Sequence, residues 1–149
     1  MANFQREGSL SNTQVGNDFE SIVSGYFSLQ GIHLSKNYKI KIGIETKKKN
    51  HAFDLGSNNP KVIVECKSHT WTSTDKTPSA KMTVWNEAMY YFTLAPDEYR
   101  KILFILRDYS NTRMETLGEY YIRTYEHLIP LGVELWEYDT NTKVGNRFK

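Results

Sequence analysis

The stretch His51-Ala52-Phe53-Asp54-Leu55-Gly56-Ser57-Asn58-Asn59-Pro60-Lys61-Val62-Ile63-Val64-Glu65-Cys66-Lys67 decides how this chain is read. Gly56 to Pro60 is a dense cluster of turn formers. It separates a short strand, His51–Leu55, from a second, Lys61–Ser68, built on Val62, Ile63 and Val64, and the two are expected to form a hairpin. Side chains on a strand alternate faces, so Glu65 and Lys67 project together while Cys66 shares the other face with Val62 and Val64. Charge at the end of a buried strand is costly unless it is paired or holds an ion. Folding at the turn brings Asp54 beside Glu65. Two carboxylates so placed repel and raise one pKa. A hard divalent cation relieves the repulsion, and carboxylate oxygens suit Mg²⁺. Lys67 adds a fixed positive charge able to orient a water, help deprotonate it or stabilise charge on a pentacovalent phosphorus. Phosphodiester hydrolysis is the reaction that uses these groups together.

Working outward, Val15, Phe19, Ile22, Tyr26 and Leu29 recur at helical spacing, which predicts an amphipathic helix over 12–30 opened by a capping box, Ser11-x-x-Gln14, and closed at Gly31. Tyr38–Glu45 alternates strictly and reads as a half-buried strand with Lys39 and Lys41 on its polar side. Thr77-Pro78 reads as an N-cap followed by proline at the first helical position, and Met82, Trp85, Met89 and Phe92 mark the buried stripe of the helix behind it, which Pro96 closes. Ile102–Leu106 is a continuous apolar run, as in a strand buried on both faces. A third helix is expected over 115–128, on the stripe Leu117, Tyr121, Tyr125 and Leu128, and a last strand over Val133–Tyr138. The order αβββαβαβ predicts one α/β domain over 1–149, a mixed sheet flanked by helices in which the helix-separated strands run parallel. Residues 1–10 and 140–149 are expected to be flexible arms.

The chain has 149 residues, 39% hydrophobic and 24% charged, which excludes a chain disordered throughout. No apolar run is long enough to cross a bilayer and the N-terminus has no secretory h-region, so a cytoplasmic protein without membrane partners is expected. A single cysteine excludes an intramolecular disulfide and a four-cysteine zinc module. Net charge is only +2, but residues 31–50 carry six lysines against one glutamate. Such a segment attracts phosphate, although from charge alone a solvated lysine-rich turn is the favoured reading. A zinc site on His51, Cys66 and His69 fits poorly, because Cys66 faces away from Glu65.

Glu-x-Lys by itself is weak; Glu45-Thr46-Lys47 is a second copy, with no aspartate on a preceding strand. Asp54, then ten residues, then Glu65-Cys66-Lys67, set between the expected elements, resembles the PD-(D/E)XK, or restriction-endonuclease-like, nuclease superfamily. The likeness covers about residues 12–139 and departs at Phe53, where the superfamily pattern has a proline. It implies a restriction-endonuclease-like core, Mg²⁺ (Mn²⁺ substituting) held by Asp54, Glu65 and the carbonyl of Cys66, Lys67 serving the attacking water, and Glu20 from the first helix completing the site. It implies a DNA endonuclease of restriction, phage-defence or DNA-processing type, leaving a 5′-phosphate and a 3′-hydroxyl. The alternatives are a nuclease acting on RNA and a non-catalytic nucleic-acid-binding module of the same fold. Lys39, Lys41, Lys47, Lys48 and Lys49 are then candidate phosphate contacts, Trp71 a base-stacking residue and Lys81 a polar contribution from the second helix. A homodimer is expected, since one small domain offers one site for two strands.

Overall fold

The computed structural model describes residues 12–149. The elements are α1 (Asn12–Ser28), β1 (Ser35–Ile42), β2 (Lys49–Asn58), β3 (Lys61–Lys67), α2 (Ser79–Leu94), β4 (Arg100–Leu106), β5 (Tyr109–Ser110), β6 (Glu115–Thr116), α3 (Leu117–Tyr125), β7 (Val133–Asp139) and β8 (Val144–Arg147). The expected arm over 1–10 and the Ser11 of the expected capping box lie outside the described residues.

Six strands form one mixed sheet in the order β1-β2-β3-β4-β7-β8. The first three are an antiparallel meander, β3, β4 and β7 run parallel, and β8 returns antiparallel on the edge. The apolar run of β4 sits mid-sheet and feeds two cores. Ile102 and Phe104 join Phe19, Val23 and Phe27 of α1 on one face; Leu103 and Ile105 join Met82, Trp85, Met89 and Phe92 of α2 and Leu117 and Tyr121 of α3 on the other. A strand covered on both faces needs apolar side chains of both parities, which is why this run does not alternate. Among the described residues no helix is long and apolar enough to cross a membrane.

Several expectations are corrected. The buried stripe of α1 is Phe19, Val23 and Phe27; Val15 and Ile22 are exposed and Leu29 stands at 92% exposure beyond the helix end. Spacing alone admits both stripes, and the sheet selects the one that carries two phenylalanines. Pro78 is the N-cap of α2 rather than its first residue, with no side-chain cap bond. α3 starts later than expected: Glu115 and Thr116 pair with Tyr109 and Ser110 in a small hairpin, and Thr116 caps the helix in a reciprocal capping box with Glu119. The segment 140–149 is not a free arm. Val144–Arg147 pairs with β7, the Phe148 N–H donates to the Leu135 carbonyl, and Phe148 packs on the larger core.

Candidate active site

β2 and β3 pair from Asn58/Lys61 up to Leu55/Val64 and no further. Beyond that point the strands separate. Regular alternation also breaks there: Phe53 enters the core under α2, whereas Leu55 enters the core under α1. Asp54 is the residue at the break. Instead of facing its ladder neighbour, its Oδ2 accepts a hydrogen bond from the Cys66 N–H at 2.8 Å. One carboxylate oxygen thereby satisfies a backbone donor that the parted ladder leaves unpaired.

The gap between the strands opens into a cleft of about 620 Å³ whose lining includes Glu20, Asp54, Cys66, Lys67, His69 and Lys81. It lies beyond the carboxyl end of β3, where open α/β sheets characteristically take ligands. α1 packs on β2 and β3 and carries Glu20 to the rim. Lys81, in the first turn of α2, forms part of the opposite wall.

The electrostatics tie four expected residues into one group. Burial pushes the Asp54 carboxyl up to about 7, and the Glu65 carboxylate pushes the same way; the Cys66 N–H and Lys67 only partly offset this. Glu20 is also raised, by burial and by Glu65, while Lys36 and a hydrogen bond from Asp54 pull it down. Glu65 is almost fully buried, with Lys67 Nζ at 3.5 Å on one side and His51 Nε2 at 3.6 Å on the other. Burial is the larger cause at Asp54, and the Glu65 charge adds to it in the direction that two crowded carboxylates impose. Burial and the nearby carboxylates also push the Cys66 thiol up. The thiol stays protonated, which leaves the backbone carbonyl of Cys66 as the donor this residue offers a hard ion.

Among the described residues no three His, Cys, Asp or Glu side chains stand in the mutual geometry of a preformed metal site. Glu65 is turned to Lys67 and to the His51 ring, and Asp54 to a backbone N–H. The donor chemistry nevertheless fits a divalent hard cation: Glu20 and Asp54 line the cleft with buried Glu65 acting on both, and burial raises the Asp54 carboxyl to about 7.

No family model matches the chain, and no curated protein or solved structure matches it. The site therefore rests on its own geometry.

The remaining expected residues separate. Lys39 and Lys41 are exposed and pair with Ala52 and Asn50, so they project from the β1–β2 ribbon on the face opposite Tyr38, Ile40 and Ile42, which pack on the core under α2. Lys47 and Lys49 are exposed at the β1–β2 turn. Lys48 is tied down there, donating to the Gly43 carbonyl at 2.7 Å. That turn needs Gly43: its φ is +146°, and a Cβ would collide with the Lys47 carbonyl. Trp71 lines the cleft but presents little of its ring to it. It is 6% exposed, its indole N–H donates to the Asp108 carbonyl, and Arg113 and Tyr120 cover its ring.

Two residues at the site were given no role in it by the sequence reading. His51 stacks on Tyr91 with centroids 4.0 Å apart and faces Glu65. Strand parity carried the signal, since residues 51 and 53 share the face opposite Asp54. Lys36 donates to Ser21 Oγ and is the nearest cationic influence on Glu20.

Proposed function

We propose that the chain is a Mg²⁺-dependent endodeoxyribonuclease with a restriction-endonuclease-like core, hydrolysing phosphodiester bonds in DNA. The observation that carries this reading is that Glu20, Asp54 and Lys67 line one cleft of about 620 Å³ where β2 and β3 part, with buried Glu65 beside Lys67 and acting on both other carboxyl groups.

A bound divalent ion would supply charge neutralisation for the phosphate and acidify water at neutral pH. Asp54, Glu65 and the carbonyl of Cys66 would hold it, with Glu20 adjoining. The chain's own part is then clear. Releasing the proton from Asp54 makes its carboxylate available as a ligand. Glu65 would be drawn from Lys67 by a bound cation, which would leave the Lys67 ammonium free. Lys67 orients the attacking water and meets negative charge gathering on the phosphoryl oxygens. Lys39 and Lys41, on the open face of the β1–β2 ribbon, meet phosphates flanking the scissile one. Cutting both strands of a duplex calls for a second copy of the chain.

One observation favours a second reading. Glu65 already has a cationic neighbour, Lys67, at 3.5 Å, so the cluster is partly self-neutralised without an ion. That arrangement suits a non-catalytic nucleic-acid-binding module. Plasmid nicking separates the two. The nuclease converts supercoiled to relaxed DNA in Mg²⁺ and not in EDTA, and Lys67→Ala loses about 10² to 10⁴ of the rate. Binding without cleavage of DNA, in Mg²⁺ and in Mn²⁺, supports the module. Cleavage confined to an RNA substrate keeps the chemistry and changes the substrate.

A further inference from the structure

His69 lines the same cleft, two residues past the end of β3. Its Nδ1 accepts a hydrogen bond from the Trp85 indole N–H at 2.8 Å. An indole nitrogen only donates, so Nδ1 must be the unprotonated nitrogen and the ring proton sits on Nε2. The bond leaves no other choice of tautomer. Trp85 is fully buried in the core under α2 and packs edge-on against Tyr121, so the clamp on His69 is rigid. No described residue accepts a hydrogen bond from Nε2 of His69, nor is that nitrogen among the buried polar atoms lacking a partner. A fixed donor therefore stands free at the wall of a cleft that also holds Lys67 and Lys81.

The ring is also kept neutral. Burial and the charges of Lys67 and Lys81 bring its pKa down to about 4. Protonating Nδ1 would in addition set two N–H groups head to head. The residue is thus no general acid at neutral pH, and no proton leaves it. What remains is an oriented N–H dipole in a cleft that two lysines also line, a surface that complements the oxygens of an anion.

We infer that His69 is a catalytic residue of this site: its Nε2–H donates to one non-bridging oxygen of the phosphodiester in the cleft, and Trp85 positions it by fixing the tautomer. This rests on the phosphodiesterase reading and adds to it a donor that neither the Asp54/Glu65/Lys67 set nor the ion supplies.

The test uses a short DNA duplex carrying a single phosphorothioate at the cleaved position, as separate Rp and Sp diastereomers, in Mg²⁺ and Mn²⁺. His69→Phe keeps a ring and removes the donor; His69→Gln restores an N–H near the position of Nε2. On the unmodified duplex, His69→Phe is expected to lower kcat by about 10²-fold, and His69→Gln by less. Sulfur is a poor acceptor, so wild type should be slowed by sulfur at the oxygen His69 meets. His69→Phe should show little further slowing with that diastereomer and an ordinary effect with the other. Long-range ¹⁵N–¹H correlation on the wild-type chain, which needs no variant to fold, should show Nε2 protonated and Nδ1 bare. Equal kcat for His69→Phe and wild type overturns the inference, as do unchanged sulfur effects at both oxygens or a ring protonated on Nδ1. In each of those cases the nuclease reading survives. Wild type that cleaves no nucleic acid in either metal removes that reading, and this inference with it.

Discussion

At the scale of single residues, Asp54 carries the clearest consequence of the fold. Its carboxyl is raised from an ordinary 3.8 to about 7. The folded chain therefore holds a proton that the unfolded chain has released between those pH values, so stability falls as pH rises through that window. The stabilising protonation is complete below about pH 4 and lost above about pH 7. Asp54→Asn keeps an acceptor for the Cys66 N–H and removes the buried charge. It should raise stability by on the order of 2 kcal/mol at pH 8, with no gain at pH 4, in urea melts at the two pH values. The same substitution should abolish cleavage. Because Mg²⁺ must displace the Asp54 proton, calorimetric affinity for the ion should weaken towards tenfold per unit below about pH 7 and level off above it. An affinity flat from pH 5 to 8 would remove Asp54 as a ligand.

At the scale of elements, the β1–β2 ribbon and β8 are the parts whose roles differ most. Lys39 and Lys41 lie two residues apart on one open face. Removing both should weaken DNA binding and cut the slope of log K against log salt by about 2, leaving the rate at saturating DNA unchanged. An unaltered slope would place the duplex elsewhere. β8 covers the edge of β7 and brings Arg147 to 3.5 Å from Glu134, which Arg100 already holds through two hydrogen bonds of 2.7 and 2.9 Å. Ending the chain before Val144 should lower the urea midpoint and expose a strand edge prone to association. A truncated chain with the same midpoint would show that β8 adds nothing.

Elements also mark where sequence pattern stopped being enough. The doubly buried β4 and the α2 stripe were readable because tertiary burial and local pattern agree there. The α1 stripe was not, since Val15 and Ile22 satisfy helical spacing as well as Val23 and Phe27 do, and only the sheet underneath chooses. β8 reads as polar, VGNR, because one side of an edge strand faces solvent, and a short polar segment looks like an arm. Thr116-Leu117-Gly118-Glu119 did carry a capping-box signal, and it places the start of α3 correctly. Of the residues that the motif spacing singled out, Asp54 and Lys67 line the cleft and Glu65 lies buried beside Lys67. The Trp85–His69 bond joins a helix to a loop sixteen residues earlier, and no periodicity encodes it.

For the whole molecule, the sheet acts as a rigid partition with a core on each face, and the cleft opens at one end of it, where two strands part. Groups from α1, β2, β3 and the loop after β3 reach it without any large rearrangement of the scaffold. The central claim is that these groups jointly grip a divalent ion and a phosphodiester. A crystal structure with a short DNA duplex and Ca²⁺ in place of Mg²⁺ tests it most directly. The account predicts an ion bridged by Asp54 and Glu65, Lys67 released from Glu65, and a backbone phosphate within hydrogen-bonding distance of both Lys67 and His69. A duplex bound away from this cleft, with Glu65 still paired to Lys67 and no ion beside Asp54, would contradict it.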